Sequence, residues 1–109
     1  MDFHKKFHQP IRESPGLIPQ DRSENRYRLM SAEVEEYAQG VKSDDLANVA
    51  KELADILYTV YGTIIEHGLQ EKIDAVFEEV HQSNMSKDYH EYKMIKGEGY
   101  HKADVSKYL

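Results

Sequence analysis

Apolar positions are sparse along the first twenty residues, where Phe3 and Phe7 stand four apart, the spacing of one side of a short helix. Pro10, Pro15 and Pro19, all the prolines of the chain, follow within ten residues, and this window predicts a loop. From Asp21 the apolar positions return at helical intervals, as Leu29, Met30, Val34, Tyr37 and Val41. Asp21 and Glu24 resemble a capping box, and Gly40 marks the expected end. Ser43-Asp44-Asp45 predicts the cap of a second helix, carried by Leu46, Val49, Leu53, Ile56, Leu57, Val60 and Ile64 and ending near His67-Gly68. A third runs from about Gln70 through Ile73, Val76, Phe77 and Val80 to about Lys87. Beyond Asp88 the periodicity fades into a tail with Gly97, Gly99 and scattered lysines, and no strand-like alternation stands out. The pattern predicts an all-α fold, a bundle of three main helices plus a short N-terminal helix. It reads as one domain over 1–109: opening helix and proline-rich loop (1–20), helical body (21–87) and flexible tail (88–109).

Composition sharpens this picture. With 109 residues, 39% of them hydrophobic, and a mean hydropathy of -0.76, the monomer's own core is expected to be thin. A homodimer or homotetramer that completes the core is therefore expected. The absence of cysteine excludes disulfides, a thiolate zinc site and a cysteine nucleophile. Together with an N-terminus lacking the apolar run of a signal peptide, it points to the cytoplasm. The most apolar stretch, Ile56 to Ile65, falls far short of the roughly 20 apolar residues of a membrane span. A net charge of -6 argues against nucleic acid as a partner, since nucleic-acid modules present a basic face.

The acids are not evenly spread. Between Ala32 and Glu79 there are twelve of them against three lysines. At about 100° per residue, Glu33 falls inside the apolar arc of its helix with Glu36 on the flank, whereas Glu35 points the other way, towards solvent. The next helix repeats the arrangement with Glu52 beside Val49 and Ile56, and Asp55 three positions on. Two unit charges about 4 Å apart repel by about 4 kcal/mol at an effective dielectric near 20, so four converging carboxylates require a counter-ion. Arg26 is the one basic side chain expected on the same arc. A hard oxygen-seeking cation, Mg²⁺ or Mn²⁺ as a substitute, answers the need, and such ions usually take further ligands from substrate phosphates.

Glu33-x-x-Glu36, fifteen residues, then Glu52-x-x-Asp55 resembles the acidic signature of the all-α, MazG-like nucleoside triphosphate pyrophosphohydrolases. The flanks resemble the phosphoribosyl-ATP pyrophosphohydrolase-like branch: Phe3-His4-x-x-Phe7 with Pro10 and Pro15, then Arg26-x-Arg28-Leu29. Val80-His81-Gln82-Ser83-Asn84-Met85-Ser86-Lys87 and Lys93-x-x-Lys96-Gly97-x-x-Tyr100 are similar to its C-terminal signature. The resemblance implies Mg²⁺-dependent hydrolysis of a (deoxy)nucleoside triphosphate between its α and β phosphorus atoms, a house-cleaning reaction. It implies Glu33, Glu36, Glu52 and Asp55 as metal ligands, Glu33 or Glu36 as the base, and Asp74, His81, Asn84, Lys87, Lys93, Lys96 and Tyr100 at the substrate. Ala32 stands where many relatives carry a further glutamate, and the linker between Lys87 and Lys93 looks shorter than theirs.

Blander readings stand beside these. Asp74, His81 and Asn84 read equally well as a wet helix face, and the tail lysines as solvated charges. His4 and His8 read as a surface pair on a short helix, and Tyr58 and Tyr61 as core or subunit interface. Glu78-x-x-His81 would need a matching motif on a facing helix to hold two irons, and its only other copy, Glu98-x-x-His101, sits in the tail. The alternatives for the whole chain are a phosphoribosyl-ATP pyrophosphohydrolase and a non-catalytic helical dimerisation or nucleotide-sensing module.

Overall fold

The computed structural model describes residues 1–89 and 93–109, and its backbone divides into two compact units, Met1–Gln70 and Glu71–Leu109. The first unit holds α1 (Asp2–Lys6), α2 (Gln20–Gly40) and α3 (Leu46–Glu66), with a 3₁₀ turn at Val41–Ser43 between the two long helices. The second holds α4 (Ile73–Met85), two-residue strands β1 (Asp88–Tyr89) and β2 (Met94–Ile95), and a 3₁₀ turn at Ser106–Tyr108. The expected all-α class is observed. The antiparallel pair, Asp88 opposite Ile95 and Tyr89 opposite Met94, is an addition, because strands this short carry no alternation to read.

The two long helices form an antiparallel hairpin. Asp44 turns the chain in the left-handed region (φ 56°), which Asp tolerates better than most residues, and Asp45 then caps α3 by accepting from the Ala47 and Asn48 amides at 3.0 and 3.5 Å. The capping box expected at Asp21 and Glu24 does not form. The helix begins a residue earlier, with Pro19 at the N-cap, and proline has no N–H for the reciprocal bond. Asp21 instead lies in the first turn, where its charge meets the positive end of the helix. The proline-rich segment runs along the C-terminal end of α3 and satisfies carbonyls that the helix leaves open: the Arg12 amide donates to Ile65 O (3.2 Å) and the Gly16 amide to His67 O (3.0 Å). Residue Gln70 adds a side-chain bond to Arg12 O at 2.8 Å.

What lies between the helices departs from the expected apolar seam. Among the described residues Ile65 is the one buried hydrophobic side chain, while Leu29, Val34, Leu53 and Leu57 remain 40–50% exposed or more. The buried positions of the hairpin are Arg26, Gly40, Glu52, Gly62, Ile65 and Glu66. Two of these glycines let the helices close on polar groups. A Cβ on Gly40 would meet the Asn48 amide nitrogen at 2.8 Å, and one on Gly62 would strike the Arg26 guanidinium. Tyr58 and Tyr61, expected in a core or interface, are more than half exposed.

In the second unit the tail folds back on α4. Ser83 donates to His101 O (2.7 Å), the His101 amide donates to the Ser86 hydroxyl (2.9 Å), and the Asp104 amide donates to Glu79 Oε1 (3.1 Å). That last bond, opposed by burial and aided by the charge of Lys107, holds the Glu79 carboxyl below its usual range. No helix among the described residues is long and apolar enough to cross a membrane.

Candidate metal centre

The turn end of the hairpin brings Glu33 and Glu36 of α2 together with Glu52 and Asp55 of α3. One oxygen from each of the four carboxylates lies within 4.8 Å of the others. At that separation, each pair of charges repels by about 3.5 kcal/mol at an effective dielectric of 20. The strain is visible at Glu33, whose carboxyl is pushed above its ordinary value of 4.5 by burial first, then by a shared hydrogen bond with Glu36 and by the charges of Glu36, Asp55 and Glu52. Glu33 Oε2 and Glu52 Oε2 are buried without a hydrogen-bond partner among the described residues. Two orphaned carboxylate oxygens in a set of four hard donors fit a divalent cation, which takes oxygen ligands of this kind.

Lys51 corrects the expectation that Arg26 alone is available to this arc. Its Nζ lies 2.8 Å from Asp55 Oδ2 and 3.9 Å from Glu52 Oε1. The backbone arc excludes Lys51, but a four-carbon stem at i, i+4 reaches around the helix. The contact with Asp55, then the charges of Asp55 and Glu52, raises the pKa of the lysine. Since Lys51 is 66% exposed the pair is worth little and leaves the cluster's negative charge largely uncompensated. Glu35 points to solvent as expected, accepting from Gln39.

Arg26 belongs to a different cluster, at the open end of the hairpin. Glu66, 1% exposed, accepts from Arg22 Nε (3.1 Å) and Nη2 (2.8 Å) through Oε1, while its Oε2 lies 3.0 Å from Arg26 Nη1 and 3.5 Å from His4 Nε2. The last two contacts lack hydrogen-bond alignment; Arg26 acts through charge, and His4 does so only when protonated. Arg26 also donates to Thr63 Oγ1 (3.1 Å) and Thr59 O (2.9 Å). The expected surface pair of histidines is therefore corrected. His4 is buried against Glu66, and His8 lies past the end of α1 with a φ of 55°. Burial, partly offset by Glu66 and reinforced by Arg26, lowers the His4 pKa below 6.5. A readable signal for this cluster was overlooked: an acid in the last turn of an apolar helix faces the negative end of the helix dipole, and it survives there only beside a cation.

The other expected site residues lie in the second unit. Asp74, His81 and Asn84 sit exposed along α4, and Ser83 is the residue of that helix that is buried. Lys87 follows α4, and Lys93 and Lys96 are exposed. Lys96 Nζ stands 5.3 Å from the centre of the Tyr100 ring, so those two are brought together. The short linker between Lys87 and Lys93 includes His90, Glu91 and Tyr92, which lie outside the described residues.

The helical hairpin with four carboxylates in two i, i+3 pairs is the arrangement expected of the all-α, MazG-like superfamily. Comparison with protein families matches residues 1–84 to the family described as Phosphoribosyl-ATP pyrophosphohydrolase, and the chain belongs to that family. Such proteins are typically dependent on a divalent metal. The match contains both α2 and α3 with all four acids, whereas Lys87, Lys93, Lys96 and Tyr100 fall beyond it. Comparison with curated proteins finds no match.

Proposed function

We propose that the chain hydrolyses a (deoxy)nucleoside triphosphate at the α–β phosphoanhydride. Water adds to the α-phosphorus, the bond to the bridging oxygen breaks, and nucleoside monophosphate and pyrophosphate leave with one proton released. The observation that carries this reading is the meeting of Glu33, Glu36, Glu52 and Asp55 within 4.8 Å. These four would hold the cation, Mg²⁺ or Mn²⁺ in its place. A cation held there would supply neutralisation of the polyphosphate charge and acidification of the attacking water. Of the chain's own groups, Glu33 is the best placed base: its Oε2 is buried without a protein donor and its carboxyl already favours a proton. Lys87, Lys93 and Lys96 are assigned to phosphate charge, with Tyr100 beside Lys96 and with Asp74, His81 and Asn84 at the substrate. The half-exposed Leu53 and Leu57 favour a homodimer or homotetramer, because a second copy covering them supplies the apolar burial that the monomer lacks. The reading places the protein in the cytoplasm, where nucleotide pools are cleansed.

The family's description names a second candidate substrate, phosphoribosyl-ATP, which carries the same phosphoanhydride. Phosphorus NMR on the protein with Mg²⁺ and dUTP, dCTP, dTTP, ATP or phosphoribosyl-ATP separates the two. Monophosphate with pyrophosphate from the simple triphosphates is the expected result. Turnover of phosphoribosyl-ATP alone selects the second reading, and diphosphate with orthophosphate overturns both.

A further inference from the structure

A cleft of about 390 Å³ opens between α1 and the α2–α3 hairpin. Its size falls within the range of small-molecule sites, about 300–1,000 Å³. Phe3, Leu29, Tyr58 and Tyr61 line it, with the buried His4 and Arg26 among its other residues. The Phe3 and Tyr58 rings meet edge to face, with centroids 5.3 Å apart and planes at 90°.

The cleft and the acidic centre lie on one face of the hairpin. Arg26 and Glu33, Leu29 and Glu36, Glu52 and Thr59, and Asp55 and Gly62 are each seven residues apart. Seven residues return to nearly the same side of a helix, with about 20° of drift and a rise of about 10 Å. The nearest steps, Glu33 to Leu29 and Asp55 to Thr59, span one turn, about 6 Å. The antiparallel helices therefore present one track, with carboxylates at one end and aromatic rings at the other. A ligand matching it has a polyphosphate held through a cation at the first end and a flat, apolar-faced group one to two turns away.

We infer that this cleft is the nucleoside subsite, in which the base packs against Phe3, Tyr58 and Tyr61 and is held by stacking with little reading of its edge. This deepens the proposed function and rests on it for the position of the phosphates. Limited edge reading is expected because the buried polar groups of the cleft are engaged, while Asp2 and the Tyr58 and Tyr61 side chains sit at its exposed rim. Arg26 already donates to Thr59 O and Thr63 Oγ1 and pairs with Glu66, and the Thr59 hydroxyl donates to Ile56 O. Stacking is indifferent to sequence because every base has a π-face.

The test uses the α,β-methylene analogues of dATP and dUTP, whose α–β link is not hydrolysed, with the full-length protein labelled at its aromatic carbons. Wild-type spectra titrated with either analogue are expected to shift at Phe3, Tyr58 and Tyr61. Tyr58→Ala and Phe3→Ala should each weaken analogue binding by about five- to a hundred-fold, the range set by stacking on a base. Tyr27→Ala, at an exposed position outside the cleft, should leave it unchanged. Mn²⁺ affinity, followed by electron paramagnetic resonance, should be the same in all four proteins. Shifts that map elsewhere in the wild type, or a preference of about 100-fold or more between the two bases, overturn the subsite. If Mn²⁺ fails to bind at the acids while the analogues still shift the cleft rings, the metal reading falls and the subsite stands.

Discussion

Replacing Glu66 by Gln keeps the shape of the side chain and removes its charge. Glu66 is 1% exposed, the Arg26 side chain is 7% exposed, and Arg22 places two nitrogens within 3.1 Å of Oε1. The substitution leaves two guanidinium groups facing a neutral amide, with Arg26 too deep to reach water. Removing one partner of a buried pair typically costs about 3–5 kcal/mol, most of it the penalty on the charge left behind. That is a large part of a domain's stability of about 5–15 kcal/mol, and at about 4 °C per kcal/mol it lowers Tm by about 10–20 °C. Urea and thermal unfolding followed by far-ultraviolet circular dichroism measure it directly. The double variant Arg26→Met with Glu66→Leu should recover much of the loss, because an apolar pair of similar volume often matches a buried ion pair. Arg22, 29% exposed, can turn to solvent in that variant. A loss below about 1 kcal/mol in Glu66→Gln, or a double variant as unstable as the sum of its parts, would refute the reasoning.

Glu52→Gln and Asp55→Asn should each abolish Mg²⁺-dependent turnover while circular dichroism reports the same helix content; near wild-type activity in either removes the metal centre. Mg²⁺ at 100 times its dissociation constant should stabilise the wild type by about 2.7 kcal/mol, reversibly on chelation, and an unmoved unfolding midpoint counts against a site. In chelated protein, the lowered pKa of His4 contributes stability that is full above 6.5 and is lost as pH falls towards the folded value. His4→Gln should flatten the loss between pH 7 and 5, and an equal slope in both proteins rejects this. Glu33 works in the opposite sense, its raised pKa contributing stability at low pH that is lost as pH rises through the folded value. Glu33→Gln should remove that component from the same titration.

Helix number and order were legible because three long segments carry a clear 3.6-residue period, and Asp45 caps where its spacing predicts. The four acids were legible for the same reason, since two i, i+3 pairs on successive helices of a hairpin must meet. Lys51 was not, because periodicity describes where a backbone faces and not how far a flexible side chain reaches. The Glu66 cluster joins Arg22 across 44 positions of sequence, and no local pattern reports such a partner. Nor does periodicity distinguish an apolar arc that is buried from one left open, which is why Leu53 and Leu57 were expected in a core and lie half exposed.

The two ends of the hairpin also differ in when they can form. The acidic centre is assembled from consecutive helices joined by the short connection 41–45, so closing it restrains a small loop. The Glu66 end is completed only when His4 arrives from the far side of the proline-rich segment, whereas Arg22 and Arg26 come with α2. The expected order of folding is therefore hairpin first and buttress second. A cation captured by the young hairpin would speed folding, whereas His4→Gln would chiefly hasten unfolding, and stopped-flow rates with and without Mg²⁺ distinguish the two.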